Sequence, residues 1–138
     1  MSAASNATEN LALKWLLTTD SATRPSAWYV ALFNNTSGNA AANLEAGTLT
    51  DEVSTSGTAY ARQSVAFTVT DDQAANSATV TFPTATGSFG TVTHVAIVSS
   101  DVEGAGTVYF WGQLTSSKTV STSDTFQITS GSLTVTLA

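Results

Sequence analysis

Ionised side chains are scarce in this chain. Charged residues make up 10% of its 138 positions, against roughly 25% in ordinary soluble domains. The basic residues Lys14, Arg24, Arg62 and Lys118 are scattered along it, and the net charge is −6. Nucleic-acid binding needs clustered Lys and Arg to neutralise phosphates, so that class of partner is excluded. Anionic membrane surfaces are disfavoured for the same reason, and no apolar run approaches the about 20 residues of a membrane span. Cysteine is absent, so no disulfide staples the chain, and at this length a single domain needs none. The first ten residues lack the basic start and apolar stretch of a signal peptide. The chain is therefore expected to stay in the cytoplasm where it is made until it is assembled.

The thin charge has a second consequence. A compact monomer of 14.1 kDa exposes roughly 6,700 Å², which leaves about one charge per 480 Å². Soluble monomers usually carry a denser coat. Either Ser, Thr, Asn and Gln hydrate the surface instead, or much of it is covered in an assembly. The second reading predicts a symmetric homo-oligomer, with a trimer as the expected form.

What the chain does contain is β-pattern. Asn6 to Thr19 holds the one credible helix: Asn6 or Thr8 can cap it, Glu9 falls in the first turn, and Leu13, Leu16 and Leu17 recur at helical spacing. Met1 to Ser5 reads as a loose arm, and Arg24-Pro25 ends the helical segment. Trp28 to Phe33 is apolar on both faces and predicts a central strand. Asn34 to Thr55 predicts a long connection carrying Glu45, Asp51 and Glu52, long enough to be functional or mobile. Beyond Gly57, alternating apolar positions predict strands around Val65-Phe67-Val69, Ala78-Val80-Phe82, Val92 to Ser99, Val108 to Leu114, Phe126-Ile128 and Leu133-Val135-Leu137. Turn signals arrive every 8–12 residues, the spacing of a sandwich. The expected fold is all-β: a single β-sandwich or jelly roll of about seven or eight antiparallel strands over 27–138, preceded by an arm and short helix over 1–26. Ile97 and Phe110 are expected in the core of adjacent strands or facing sheets, where truncation to Ala costs about 2–5 kcal/mol.

Reactive chemistry finds little support. His94, the sole histidine, has no Gly-x-Ser-x-Gly elbow to serve and starts a buried strand, which fits a hydrogen-bonded structural imidazole. One His without Cys cannot supply the usual zinc ligands. Asp71-Asp72 and Asp101-x-Glu103 lie in turns and do not resemble a calcium loop. No motif nominates a glycosidase carboxyl pair. Trp28, Tyr29, Tyr109 and Trp111 could stack on sugars, but their strand positions favour core packing. No catalytic, cofactor or metal residue is therefore expected.

An ordered series of short motifs carries a resemblance. Trp28-Tyr29-Val30-Ala31-Leu32-Phe33 is followed by Gly57-Thr58-Ala59-Tyr60-Ala61-Arg62-Gln63 and Thr81-Phe82-Pro83. Then come Gly90-Thr91-Val92-Thr93-His94-Val95, Phe110-Trp111-Gly112-Gln113-Leu114, Ser117-Lys118-Thr119-Val120, Asp124-Thr125-Phe126 and Gly131-Ser132-Leu133-Thr134-Val135. The series resembles a family of small tailed-phage virion proteins labelled tail-fibre-like or structural. The resemblance implies a non-enzymatic virion protein. Lacking a fibrous repeat, the chain is expected to be a capsid cement or decoration protein that binds the major capsid protein. Met1 to Asn10 and Asn34 to Thr55 would be the contacting segments, and binding would depend little on salt because no basic patch exists. The alternatives are a tail, baseplate or tail-fibre component, bound to tail proteins, and a carbohydrate-binding module using Trp28 or Trp111.

Overall fold

A computed structural model describes residues 3–137. Met1 and Ser2 of the expected arm, and Ala138 beyond the last strand, lie outside the described residues. The elements run β1 (Ala3–Ala4), α1 (Asn6–Leu17), β2 (Tyr29–Phe33), α2 (Ala40–Glu45), β3 (Gln63–Ser64), β4 (Phe67–Thr70) and β5 (Gln73–Asn76). They continue with β6 (Val80–Thr81), β7 (Gly90–Val98), β8 (Val108–Val120), β9 (Gln127–Ile128) and β10 (Thr134–Thr136).

The all-β expectation holds in its coarse form: the regular structure is mostly β, with strands paired antiparallel and few helices, behind one short N-terminal helix. The strands fall into three hydrogen-bonded sheets, ordered β1-β8-β7-β2-β3, β10-β5-β4 and β6-β9. The expected arm is not loose at Ala3 and Ala4, which pair with Trp111 and Phe110 of β8. Ser5, fully buried, caps α1 in place of the expected Asn6 or Thr8, its hydroxyl oxygen accepting from the Thr8 amide at 3.4 Å.

The sequence Tyr-Val-Ala-Leu-Phe earns its central position in β2 because both of its faces are covered. Val30 and Leu32 point to one cluster with Val95, Val92, Tyr60, Phe82, Phe89 and Phe126. Ala31 and Phe33 point to a second cluster with Ala96, Val98, Val108 and Leu44. Ile97 lies opposite Phe110 in the β7–β8 register, as expected of adjacent strands. Ile97 is buried, while Phe110 is only half-buried, so truncating Phe110 costs less than truncating Ile97.

The long connection from Asn34 to Thr55 is ordered. Its Ala-rich stretch winds into α2, which inserts Leu44 into the second cluster. The three acids in the connection each hold it in place. Glu45 accepts from the Trp111 indole N–H at 2.8 Å. Asp51 accepts from the Ser37 amide at 2.9 Å and the Ser37 hydroxyl at 2.6 Å. Glu52, inside the protein, meets Arg62 through Nε–Oε1 and Nη2–Oε2 contacts of 2.7 Å each. Arg62 then donates its Nη1 to the carbonyls of Ser100 at 2.6 Å and Ala105 at 2.8 Å, and the Gly104 amide donates to Glu52 Oε2 at 2.8 Å. One buried pair thus ties the connection, the Tyr60–Arg62 segment and the β7–β8 turn together.

Breaking a buried, bidentate pair leaves a charge with no partner and no water. Arg62→Met is expected to cost about 3–5 kcal/mol, read as a shift in the denaturant midpoint without a change in slope. A loss below about 1 kcal/mol, the range of exposed ion pairs, would contradict this role.

Candidate functional site

The residues singled out for chemistry do not converge. His94 is buried, with Nδ1 at 2.8 Å from the Thr93 hydroxyl and its ring 6.2 Å from that of Trp111. It sits beside an irregularity in the β7–β8 register, between Val92 and His94, where the chain skips Thr93. Burial pushes its pKa below the usual 6.5, an effect opposed by the Asp51 carboxylate. Burial acts to raise Asp51, but hydrogen bonds from Ser37, Thr36 and Asn43 outweigh it and hold that carboxyl below its usual 3.8. The hydroxyls that could have served a nucleophilic role near Asp51 are spent as its donors. Asp71 and Asp72 stand in an exposed turn, and among the described residues no group of His, Asp and Glu is placed to hold a metal ion.

The aromatic residues do not form a platform. Trp28 packs against the Val30 cluster, whereas Tyr29 and Trp111 pack against the Phe33 cluster on the opposite face of the sheet. Tyr60, whose phenol burial and the Glu52 carboxylate push far above its ordinary pKa, donates to Glu52 at 2.9 Å and accepts from the Leu32 amide at 3.0 Å. That tyrosine is an internal strut, and sequence reasoning missed it because its partners are remote in the chain.

Among the described residues, two surfaces stand out as apolar and exposed. The first is α1. Its base is fixed: the Ser5 hydroxyl donates to the Val108 carbonyl at 2.5 Å and the Thr8 hydroxyl to the Tyr109 carbonyl at 2.6 Å. The chain returns at Tyr29, opposite Val98, which itself pairs with Val108. Residues 6–27 therefore leave and re-enter the sheet at the same end. No residue of α1 is buried, and Leu13, Trp15, Leu16 and Leu17 are 59% to 76% exposed.

The second is a groove of about 330 Å³ between the main sheet and the β10-β5-β4 sheet. Its floor is Trp28, Ile97 and Phe110, and its outer wall includes Phe67, Val69 and Leu137. Asp71 and Asp72 stand at its border. Trp28 and Phe110 put this opening at the same end of the sheet as the base of α1. The leucine spacing predicted a helix with an apolar stripe; that the stripe finds no seat within its own chain was not legible.

The described residues thus form a mostly β body whose candidate reactive groups stand apart from one another. The chain belongs to the family described as podophage GP4 fiber I protein gp80, whose model matches residues 3–136. The resemblance carried by the ordered motifs is thereby borne out, and the protein is a virion structural protein of a tailed phage. No curated protein matches the chain. Among the described residues, no helix is long and apolar enough to cross a membrane.

The depressed pKa of His94 gives a pH dependence with a definite sign. As pH falls through about 6.5, the unfolded chain takes up the proton before the folded one. The contribution of neutral His94 is therefore complete above that value and is lost as pH falls toward the folded pKa. His94→Gln should flatten the stability curve across this window while leaving the fold intact. An unchanged slope in denaturant midpoints measured across the same window would contradict the buried, neutral assignment.

Proposed function

We propose that this protein is a non-enzymatic subunit of a phage fibre or tail appendage, working as a rigid connector. The observation that carries the reading is the family match, whose description names a fibre protein and which spans nearly the whole chain. It favours an appendage over the capsid cement or decoration role that the missing fibrous repeat first suggested. A fibrous repeat is not required of a fibre subunit, because a chain of compact β bodies joined through their surfaces reaches as far as a continuous shaft.

The internal architecture supports this reading. A connector under load needs loops that do not unravel, and here the long connection is locked by Glu45, Asp51 and Glu52. Partners are other fibre or tail proteins and further copies of the chain itself. Contact by the Asn34 to Thr55 segment would involve only its outward side, since its acids and Leu44 face inward. The carbohydrate-binding alternative draws no support from Trp28 and Trp111, which occupy opposite faces of one sheet.

Labelling intact virions with an antibody fragment against this chain tests the proposal. The expected image places label on projections at the tail vertex, in tens of copies. Label spread over all facets of the head in hundreds of copies would overturn the fibre reading in favour of cement.

A further inference from the structure

We infer that two copies of this protein pair through the free edge of β4, the two Phe67–Thr70 strands running antiparallel and joining their β10-β5-β4 sheets into one continuous sheet. The inference does not depend on where in the virion the protein sits. Strand β5 is paired on both sides, whereas β4 is an outer strand whose far side meets no strand among the described residues. The Ser77 amide donates to the Ala66 carbonyl at 2.9 Å, which turns the backbone groups of Ala66, Thr68 and Thr70 toward β5. Alternation along the strand then points the N–H and C=O of Phe67 and Val69 outward from the edge.

A free edge is a template for another chain unless shortness, charge, proline or a bulge blunts it. The other edges of this fold carry such devices. Strands β1, β3, β6 and β9 are two residues long and β10 is three. At β3 the Gln63 side-chain amide also donates to the carbonyls of Ala61 at 2.8 Å and Arg62 at 3.1 Å. Past the reach of β1, strand β8 carries Lys118 and slips register against β7 between Val92 and His94. Strand β4 has none of these. Its Phe-Thr-Val-Thr segment pairs regularly with β5, holds neither charge nor proline, and leaves Val69 70% exposed.

The occupant is a second copy because this edge is complementary to itself. About a two-fold axis, one alignment uses every outward group: Phe67 of each copy opposite Val69 of the other, with Thr68 opposite Thr68. Each Phe67–Val69 couple then exchanges both N–H···O=C bonds. Phe67 and Val69 share the face that borders the groove, so an aromatic and a β-branched side chain meet across the seam, a favourable pair. On the other face the Thr68 side chains meet at the non-hydrogen-bonded position, where strands bring side chains closest. A one-residue shift would set outward groups against groups already bonded to β5. A two-residue shift one way needs the Val65 amide, which already donates to the Trp28 carbonyl at 3.0 Å. The opposite shift sets Phe67 against Asp71, held at φ 54° in the hairpin turn.

Charge does not oppose the pairing. Antiparallel alignment carries the two Asp71-Asp72 turns to opposite ends of the seam, so a chain with net charge −6 brings no like charges together there. The contact is isologous and closes on itself, giving a two-fold dimer in place of the trimer expected from the thin charge. A seam this short belongs to the small, weak class of interfaces, and a Kd on the order of 100 µM is expected for the free protein. Holding copies side by side in a particle raises their effective concentration to the millimolar range and closes the seam.

Cross-linking of the whole chain tests the register, since the protein has no cysteine of its own. Thr68 and Thr70 are both exposed. Across the axis the two Thr68 Cα atoms approach to about 4.5 Å, within the span of a disulfide, whereas those of Thr70 stand well beyond its limit of about 7 Å. Thr68→Cys is therefore expected to oxidise to a covalent dimer on the order of tenfold faster than Thr70→Cys, which links by collision alone. Sedimentation gives a second readout. The wild-type chain should be mostly dimer at about 500 µM, while Thr68→Lys and Thr68→Glu, which set like charges face to face, should each be monomeric with an unchanged circular dichroism spectrum. An equimolar mixture of the two sets lysine against glutamate and should recover the dimer. Equal oxidation rates for the two cysteine variants overturn the inference. So does a wild-type chain that stays monomeric at that concentration, a Thr68→Lys chain that dimerises like wild type, or a mixture that stays monomeric.

Discussion

The buried contact between Arg62 and Glu52 is the constraint on which the rest of this structure depends. The guanidinium and carboxylate meet in parallel, and each remaining face is satisfied by a backbone group or by Tyr60. Such a pair contributes little net stability over an apolar substitute, because desolvation offsets most of the attraction. What it contributes here is uniqueness of arrangement. Glu52 ends the long connection, Arg62 precedes β3, and Ser100 to Ala105 form the turn between β7 and β8. An alternative packing of any of the three would strand a charge in the interior. Tyr60 extends the constraint into the core, its ring stacked on Phe82 at 6.1 Å and edge-on to Phe89 at 5.7 Å.

With that tie in place, both faces of the main sheet are closed over most of their area by α2, the connection and the two smaller sheets. The most exposed apolar side chains include those of helix α1, with Leu13, Trp15, Leu16 and Leu17 open to solvent. The polar mass of the protein is Ser, Thr and Asn engaged in local hydrogen bonds, which explains how so few charges suffice for the remaining surface.

The strands were legible where burial writes directly into composition. Tyr29–Phe33 and the Val95-Ala96-Ile97-Val98 end of β7 are continuous apolar runs because both their faces are covered, and the two strands emerge as neighbours in the main sheet. Helix α1 was legible from Glu9 and the leucine spacing. Helix α2 was not, because Gly38, Asn39 and Gly47 flank its Ala-Ala-Ala-Asn-Leu-Glu segment with turn chemistry and its single anchor, Leu44, makes no period. The extent of β8 was also understated. Ser116 to Asp124 reads as a turn, yet the strand runs on to Val120 because threonine and serine tolerate an exposed strand. The ion pair was invisible in principle, since nothing in the spacing of Glu52 and Arg62 distinguishes a buried pair from two solvated loop residues. Likewise an apolar stripe on a helix states that something covers it, and is silent on whether the cover comes from the same chain.

Hydrogen exchange, compared between the dilute purified protein and intact virions, tests the central claim that this is a tightly tied β body whose exposed apolar helix α1 is covered on assembly. The account predicts that amides of Val95 to Val98 are strongly protected in both samples. Those in the second half of α1, through Leu17, should exchange rapidly in the dilute protein and become protected in the virion. Rapid exchange of the helix in both settings, or loss of protection in the β7 core of the free protein, would contradict it.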